Sequence, residues 1–337
     1  MKTKTFLVAL LGAVVTAFCA CEVNDPDSGG GGNGGSGDGG GSSTPSYVVN
    51  GRLPGVFTVG QGKKVSFSMG NLLYLASEDK WAFAPKQYQK VGGTYEGNIF
   101  HNGVKSDNNY ASKTYDGWID AFLFGAGNEP WLRNQDIYSH TDFIEWGSHP
   151  ISNGGNKANQ WRTLTEDEWT YLFTMRKDAD KKFGFCEIQN ALMLIYDEYT
   201  SIYAIMLIPD SWTRPSGIAF TPLGKDSNWG WFPNNGEGFW YRSTNARPEV
   251  NVYTVSEFEK LSKSGVVFLP GNGQLGGGGK YTERSDAGYY WSASRKKGFG
   301  TDAPYADCVM FDLLNIWPYM SMAVNDLASV RLVQDVK

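Results

Sequence analysis

The sequence predicts an α+β fold with two principal helices, short mixed or antiparallel strands and long ordered loops. Two stretches, "TLTEDEWTYLF" and "YTVSEFEKLSKSG", carry the start signal of a helix followed by apolar residues at helical spacing. The other apolar stretches are short and alternate with polar residues or are rich in β-branched side chains, which is typical of strands. The 42 glycines and the aromatic content of 15% favour turns and anchored loops over a helical bundle.

Both predicted helices begin with a capping box. Thr165 is the N-cap residue of the first helix, and Glu168 stands at the third helical position, where its side chain can bind the N-cap amide in return. Thr254 and Glu257 repeat the pattern in the second helix. These four residues are predicted to be structural caps, so the run of acids ahead of Trp169 has a scaffold role rather than a catalytic one.

The strands are predicted around these helices. The stretch "GVFTVGQGKKVSFSMG" is typical of a hairpin, and "ASVRLVQDV" is the last strand, which we expect to return to the first. Residues 92–160 and 213–252 are rich in Gly, Asn, Trp and Pro without a clear period, and they are predicted to be long loops wedged by aromatic side chains.

The N-terminal segment is predicted to address the protein to a membrane. An apolar stretch, residues 6–18, follows two lysines and is shorter than the roughly 20 residues that cross a bilayer. Cys21 follows Ala20, a small residue of the kind that a lipoprotein signal peptidase requires. We therefore predict a lipoprotein signal peptide at residues 1–20 and lipidation of Cys21. An ordinary cleaved signal is the alternative.

A flexible tether is predicted between the anchor and the folded part. Residues 21–48 are dominated by glycine and serine, which bury nothing and behave as a coil. A coil of this length spans on the order of 30 Å. Residues 49–337 contain no second low-complexity break and are predicted to form one domain with elaborated N-terminal hairpins.

Composition argues against several classes of partner. The formal net charge is -5, which argues against nucleic acid as a partner, because proteins that bind nucleic acid carry a basic footprint. The three histidines, His101, His140 and His149, lack the short regular spacing of a metal site, so neither a metal nor a cofactor is predicted. Cys186 and Cys308 either pair or remain buried free thiols, and the sequence leaves this open.

Four motifs together resemble a known family. "WRTLTEDEWTYLF", "GVVFLPGNG", "GYYWSASR" and "SVRLVQDV", in this order, are similar to paralogous surface lipoproteins of Bacteroidetes with a Fibrobacter-type major paralogous domain. The resemblance implies a C-type lectin-like fold and a relation to the variable proteins of diversity-generating retroelements. More distantly, the chain resembles the formylglycine-generating enzymes that modify sulfatases.

The resemblance also implies a ligand-binding face between the "WSAS" strand and the last strand. Within "RKKGFGTDAPYADCVMFDLLNIWPYMSMAVND", the apolar positions Ala306, Val309 and Phe311 are expected in the core. "NIWPYM" places two aromatics around a proline, so we expect that it is not a central strand. Packing of these aromatics under a loop is the alternative to ligand binding. The candidate ligand-binding residues are Arg295, Lys296, Lys297, Trp317, Tyr319 and Met320.

The predicted function is non-catalytic. We expect an outer-membrane lipoprotein, exposed at the cell surface, that recognises or adheres to a protein or glycan. One alternative is an enzyme of the formylglycine-generating type, although only Cys308 lies where that chemistry needs two reactive cysteines. A structural subunit of a surface assembly is the other alternative.

Overall fold

Short strands, rather than helices, dominate the secondary structure of the described residues. The computed structural model describes residues 44–89, 100–101, 104–105, 113–114, 117–130, 143–193, 198–223, 229–233, 239–243, 249–272, 274–275, 281–282, 287–295, 305–312 and 315–337. Residues 42–337 cluster as one compact unit.

The strands and helices follow one another in many short elements. The first ten strands are β1 (Phe57–Gly60), β2 (Lys63–Phe67), β3 (Leu72–Leu75), β4 (Lys80–Phe83), β5 (Phe100–His101), β6 (Val104–Lys105), β7 (Trp118–Ile119), β8 (Arg162–Thr163), β9 (Phe183–Met193) and β10 (Glu198–Leu207). The remaining strands are β11 (Trp229–Pro233), β12 (Phe239–Ser243), β13 (Asn251–Thr254), β14 (Val267–Pro270), β15 (Gln274–Leu275), β16 (Tyr281–Thr282), β17 (Gly288–Arg295), β18 (Tyr305–Asp312), β19 (Asn315–Ala323) and β20 (Leu332–Asp335). The α-helices of the described part are α1 (Glu166–Thr174) and α2 (Val255–Lys263).

The predicted α+β class with a C-type lectin-like architecture is wrong, because the fold is β-rich. Both predicted helices exist, but each has nine residues and covers only a small area of sheet. A capping box marks where a helix begins and says nothing of the share of the chain that is helical. The stretches 92–160 and 213–252, predicted to be loops, also contain the strands β5, β6, β7, β11 and β12.

The strands assemble into several small sheets. In the larger ones the strand orders are β1-β2-β20-β8, β13-β9-β10-β14 and β11-β12-β19-β18-β17, and β4-β3-β7 forms a three-stranded sheet. The predicted N-terminal hairpin is confirmed as β1 and β2. The last strand, β20, runs antiparallel to β2. It therefore returns to this hairpin, but it pairs with the second strand and not, as expected, with the first.

Two apolar clusters hold the sheets together. The larger cluster includes Trp169, Leu172 and Phe173 of α1, and the Trp169 and Phe67 rings lie 5.9 Å apart between centroids. The smaller cluster lies under α2, where the Phe258 and Phe268 rings are 4.7 Å apart. Each helix therefore buries one apolar stripe on a sheet, which is how a short helix gains stability beyond its own propensity.

The second helix ends at a close contact that only glycine permits. Gly265 follows the last residues of this helix and has φ of +93°, in the region that favours glycine. A Cβ at Gly265 would lie 2.8 Å from the Cα of Gly55, and a Cβ at Gly55 would lie 2.1 Å from the Gly265 carbonyl oxygen. The two glycines thus allow the N-terminal segment to pass directly over the end of α2.

No helix among the described residues combines the length and apolar composition that crossing a bilayer requires.

Candidate functional site

The candidate ligand-binding residues that the structure describes lie on the five-stranded sheet. β19 lies between β12 and β18, and β17 lies on the far side of β18. This overturns the expectation that "NIWPYM" is not a central strand. The register of β18 and β19 passes from Cys308↔Met320 to Met310↔Trp317. Val309 of β18 therefore faces two residues of β19, Pro318 and Tyr319, which form a β-bulge. Such a bulge is one of the few places where a sheet accepts proline.

The register brings three large side chains into one row. Tyr289 of β17 is opposite Met310 of β18, which is opposite Trp317 of β19. Directly opposed residues of antiparallel strands share a face of the sheet. Met310 is 6% exposed, whereas Tyr289 and Trp317 are only partly buried. The result is an aromatic–methionine–aromatic row, roughly 10 Å from end to end by strand spacing.

A polar pair lies beside this row on the same face. Asp312 and Asn315 are opposed at the ends of β18 and β19, each two residues from Met310 or Trp317 and therefore on the same side of its strand. Asn315 Nδ2 donates a 3.0 Å hydrogen bond to Asp312 Oδ1. We call these five residues (Tyr289, Met310, Asp312, Asn315 and Trp317) the Trp317 patch.

Arg295 lies on this sheet but not in the patch. It is opposite Ala306, four residues along β18 from Met310, and β17 and β19 are separated by β18. Strand geometry therefore puts its Cα on the order of 15 Å from that of Trp317. Its guanidinium lies over the Phe124 ring, 5.6 Å from the centroid, in a cation–π contact. Lys296 and Lys297 lie outside the described residues.

Tyr319 and Met320 lie at the bulge beside the Trp317 patch. Tyr319 is partly buried, and Met320 is 40% exposed, opposite the buried Cys308. The structure therefore gathers Trp317, Tyr319 and Met320 on β19. Burial is intermediate for Trp317 and for Tyr319, so each side chain is packed in part and accessible in part.

Sequence reasoning missed most of the patch. It did not select Tyr289, Met310, Asp312 or Asn315, because the residues meet only through the pairing of three strands. One signal was available. "YADCVMFDLLNIW" has a strand, two residues and a second strand, which is the spacing of a hairpin whose ends bring an Asp and an Asn together.

The core positions implied by the resemblance are confirmed. Ala306, Val309 and Phe311 are buried in the larger apolar cluster. Cys308 is also buried there, whereas Cys186 belongs to the smaller cluster, and both thiols are free. Burial raises the pKa of the Cys308 thiol, and the carboxylates of neighbouring acidic residues raise it further. A buried thiol of this kind is a poor nucleophile.

The four predicted caps are confirmed. Thr165 Oγ1 accepts from the Glu168 amide, and the Thr165 amide donates 3.0 Å to Glu168 Oε2. Thr254 and Glu257 form the same reciprocal pair. Glu168 also receives two hydrogen bonds from the Arg162 guanidinium, at 2.7 and 2.9 Å.

Arg162 of β8 connects the cap of α1 to the last strand, β20. Its Nη2 also donates 2.8 Å to Asp335 Oδ1 near the end of β20. The Arg162–Glu168–Asp335 group therefore joins β8, α1 and β20. Glu168 has a structural task here, as predicted.

A small cleft lies at the N-terminal end of the first described segment. Pro45, Tyr47 and Val48, which the sequence assigned to the tether, line this cleft together with Lys86 and Phe258. We call it the junction cleft.

The Glu259 carboxylate binds two of the residues that line the junction cleft. Tyr47 Oη donates 3.1 Å to Glu259 Oε2, and Lys86 Nζ lies 2.6 Å from Glu259 Oε1. Burial raises the pKa of Tyr47, and the negative charge of Glu259 raises it further. Glu259 thus links Tyr47 and Lys86, through one hydrogen bond from a neutral hydroxyl and one from a charged ammonium group.

The described residues contain no group of three or more His, Cys, Asp or Glu side chains placed to hold a metal ion. His149 stacks on Trp81, with 5.5 Å between ring centroids. His101 lies in β5, and His140 and the lipidation candidate Cys21 lie outside the described residues.

Comparisons of the chain with models of protein families, with curated proteins and with solved structures find no match. The resemblance to Bacteroidetes surface lipoproteins therefore stays a prediction from the four motifs.

Proposed function

We propose that the protein is a lipid-anchored, non-catalytic recognition protein of the outer membrane, exposed at the cell surface, that binds a protein or glycan ligand. The signal peptide, Cys21 and the glycine-rich segment that follows support an anchor with a tether. A tether of this kind suits a module that must reach a partner beyond the membrane surface.

The Trp317 patch is the observation that carries the proposal. Two partly exposed aromatic side chains flank a methionine on three adjacent strands of the five-stranded sheet, with a carboxylate–amide pair beside them. Trp and Tyr are enriched among residues that dominate binding energies, because they bury a large area with few rotatable bonds. A sheet buried on much of its area also holds these side chains rigidly, which lowers the entropy lost on binding.

The enzymatic alternative receives little support from Cys308. Oxidation chemistry of the formylglycine-generating type requires an accessible thiolate with a partner thiol. The Cys308 side chain is fully buried in a strand, and Cys186 lies in the other apolar cluster.

A double substitution tests the proposal. Ligands of the full chain are first identified on a glycan array and by chemical cross-linking to proteins at the cell surface. We expect the Trp317→Ala, Tyr319→Ala double variant to lose at least about tenfold in affinity for the ligand, since central aromatic residues act as hot spots. Unchanged affinity for every ligand found, in a double variant that is folded by circular dichroism, would contradict the proposal.

A further inference from the structure

We infer that Asn50 is a site of spontaneous modification, at which loss of ammonia converts the asparagine into aspartate and isoaspartate. Asn50 lies in an exposed turn and is followed by glycine. A second Asn-Gly turn packs against this one, but its asparagine is protected. The modification is independent of the ligand that the protein binds.

The reaction uses atoms of Asn50 and Gly51 and one molecule of water. The backbone nitrogen of Gly51 gives up its proton and bonds to Cγ of Asn50, and the Cγ–Nδ2 bond breaks as ammonia leaves. Water then hydrolyses the resulting succinimide ring at one of its two carbonyl groups. One opening gives aspartate, and the other gives isoaspartate, which lengthens the main chain by one methylene. Glycine favours the attack because it has no side chain to obstruct it.

Asn50 and Gly51 are the two central residues of a tight turn. Their φ angles are +49° and +77°, and the Arg52 amide donates 3.0 Å to the Val49 carbonyl oxygen across the turn. Asn50 is exposed, and its side chain makes no hydrogen bond to the described part of the chain. The Gly51 amide donates no backbone hydrogen bond to the described residues either. Both reacting groups are therefore available once the peptide between them rotates.

The second Asn-Gly turn, Asn153–Gly154, provides a comparison within the same fold. A Cβ at Gly51 would lie 2.7 Å from the Asn153 carbonyl oxygen and 2.7 Å from the Gly154 Cα, so the two turns are in contact. The Asn153 side chain is held by Phe83, whose amide donates 2.7 Å to Oδ1 and whose carbonyl oxygen accepts 2.8 Å from Nδ2. Attack on Cγ of Asn153 requires that these bonds break. The fold therefore protects Asn153 and leaves Asn50 open.

The modified turn lies where the N-terminal segment meets the sheet. The Gly51 carbonyl oxygen accepts 2.7 Å from the Met69 amide, which bonds the turn to the chain just after β2. An additional methylene in the turn displaces this carbonyl group from its donor, and both products add a negative charge. The isoaspartate form therefore holds residues 45–50 less firmly than the unmodified protein does.

The test follows the full chain in detergent during incubation in mildly alkaline buffer, with and without urea. Peptide mass spectrometry quantifies conversion separately at Asn33, Asn102 and Asn235, which also precede glycine and lie outside the described residues. In the folded protein we expect Asn50 to react at least about tenfold faster than Asn153, since Asn153 must first lose two hydrogen bonds. In urea, where both turns are unfolded, the two rates should be similar.

Hydrogen exchange of a matched variant tests the effect on the N-terminal segment. Asn50→Gly removes the reacting amide and keeps a residue that adopts positive φ without strain. After incubation, the wild type should exchange faster at residues 45–50 than before, whereas Asn50→Gly should be unchanged. The other asparagines are the same in both proteins, so a difference between the two reports on residue 50.

The relative rates at the two turns decide the outcome. Faster conversion at Asn50 than at Asn153 in the folded protein, with similar rates in urea, supports the inference. Conversion at Asn153 that equals or exceeds that at Asn50 in the folded protein overturns it, as does an Asn50 that reacts only in urea. An equal change of exchange in the incubated wild type and in Asn50→Gly would show that the modification does not loosen the segment.

Discussion

Gln87 connects two buried parts of the molecule at the scale of single residues. Its Oε1 accepts from the Phe268 amide at 2.9 Å and from Arg331 Nη2 at 2.7 Å. Its Nε2 donates to Ser262 Oγ and to the Val266 carbonyl. Gln87 and Arg331 are 2% and 1% exposed, and burial lowers the pKa of Arg331 to about 10. The guanidinium therefore depends on amide oxygens, since no ion pair of Arg331 occurs within the described residues.

Gln87→Ala should destabilise the protein strongly. The substitution leaves the Phe268 amide and one N–H of Arg331 without their acceptor in the interior, and we expect a loss of about 3 kcal/mol. Gln89→Ala is the matched control, because Gln89 is also buried but receives one hydrogen bond, from the Lys86 amide. It should cost about 1 kcal/mol. Urea unfolding measures both, and equal losses would show that Gln87 has no special role.

The contribution of Glu257 to the stability of the fold depends on pH. Hydrogen bonds from the Thr254 backbone and side chain lower the pKa of Glu257 below its ordinary value. A carboxyl whose pKa is lower in the folded state stabilises the fold above the unfolded pKa of about 4.3, and this contribution is lost as the pH falls. We expect Glu257→Gln to lose less stability than the wild type between about pH 5 and pH 3. Parallel stability curves for the two proteins would contradict this.

At the scale of elements, local signals were predictable and pairings were not. The capping boxes at Thr165 and Thr254 depend on contacts three residues apart, so the sequence displays them directly. The central position of β19 depends on a bulge opposite β18, which the proline rule alone did not anticipate. The Asp312–Asn315 pair and the aromatic row exist only once the register of three strands is set.

The position at which the predicted tether ends also depends on a contact between residues far apart in the sequence. Tyr47 follows a glycine- and serine-rich segment, and its partner Glu259 is 212 residues further along the chain. No local pattern shows that these two residues meet. The ordered contacts of the domain consequently include residues that composition alone assigned to the coil.

Tyr47→Phe tests how the chain is held at the junction cleft. Removing the hydroxyl deletes the hydrogen bond to Glu259, which should cost about 1 kcal/mol. Hydrogen exchange in a peptide covering residues 45–50 should become faster. Tyr171→Phe is the control, since this partly buried tyrosine of α1 makes no hydroxyl hydrogen bond within the described residues. Equal exchange rates at residues 45–50 in the two variants would show that the Tyr47–Glu259 hydrogen bond does not hold this segment in place.

At the scale of the whole molecule, we propose that the protein consists of a lipid anchor, a flexible coil and a β-rich domain. The proposed anchor is the lipidated Cys21, so we expect Cys21→Ser to move the protein from the membrane fraction to the soluble fraction of the cell. Acyl chains contribute about 0.8 kcal/mol per buried methylene, and loss of all of them leaves too little membrane affinity for retention. Fractionation and metabolic labelling with palmitate measure this. Membrane retention of the unlabelled variant would contradict the proposed anchor.

Oxidative footprinting tests most directly whether the ligand lies on the Trp317 patch. The full chain is exposed to hydroxyl radicals with and without the ligand that binds best among the glycans of the array and the cross-linked proteins, and oxidation is quantified residue by residue. We expect protection of Trp317 and Tyr289, with Met175 oxidised equally in both samples. Protection elsewhere, with Trp317 as reactive in the bound as in the unbound protein, would contradict the account.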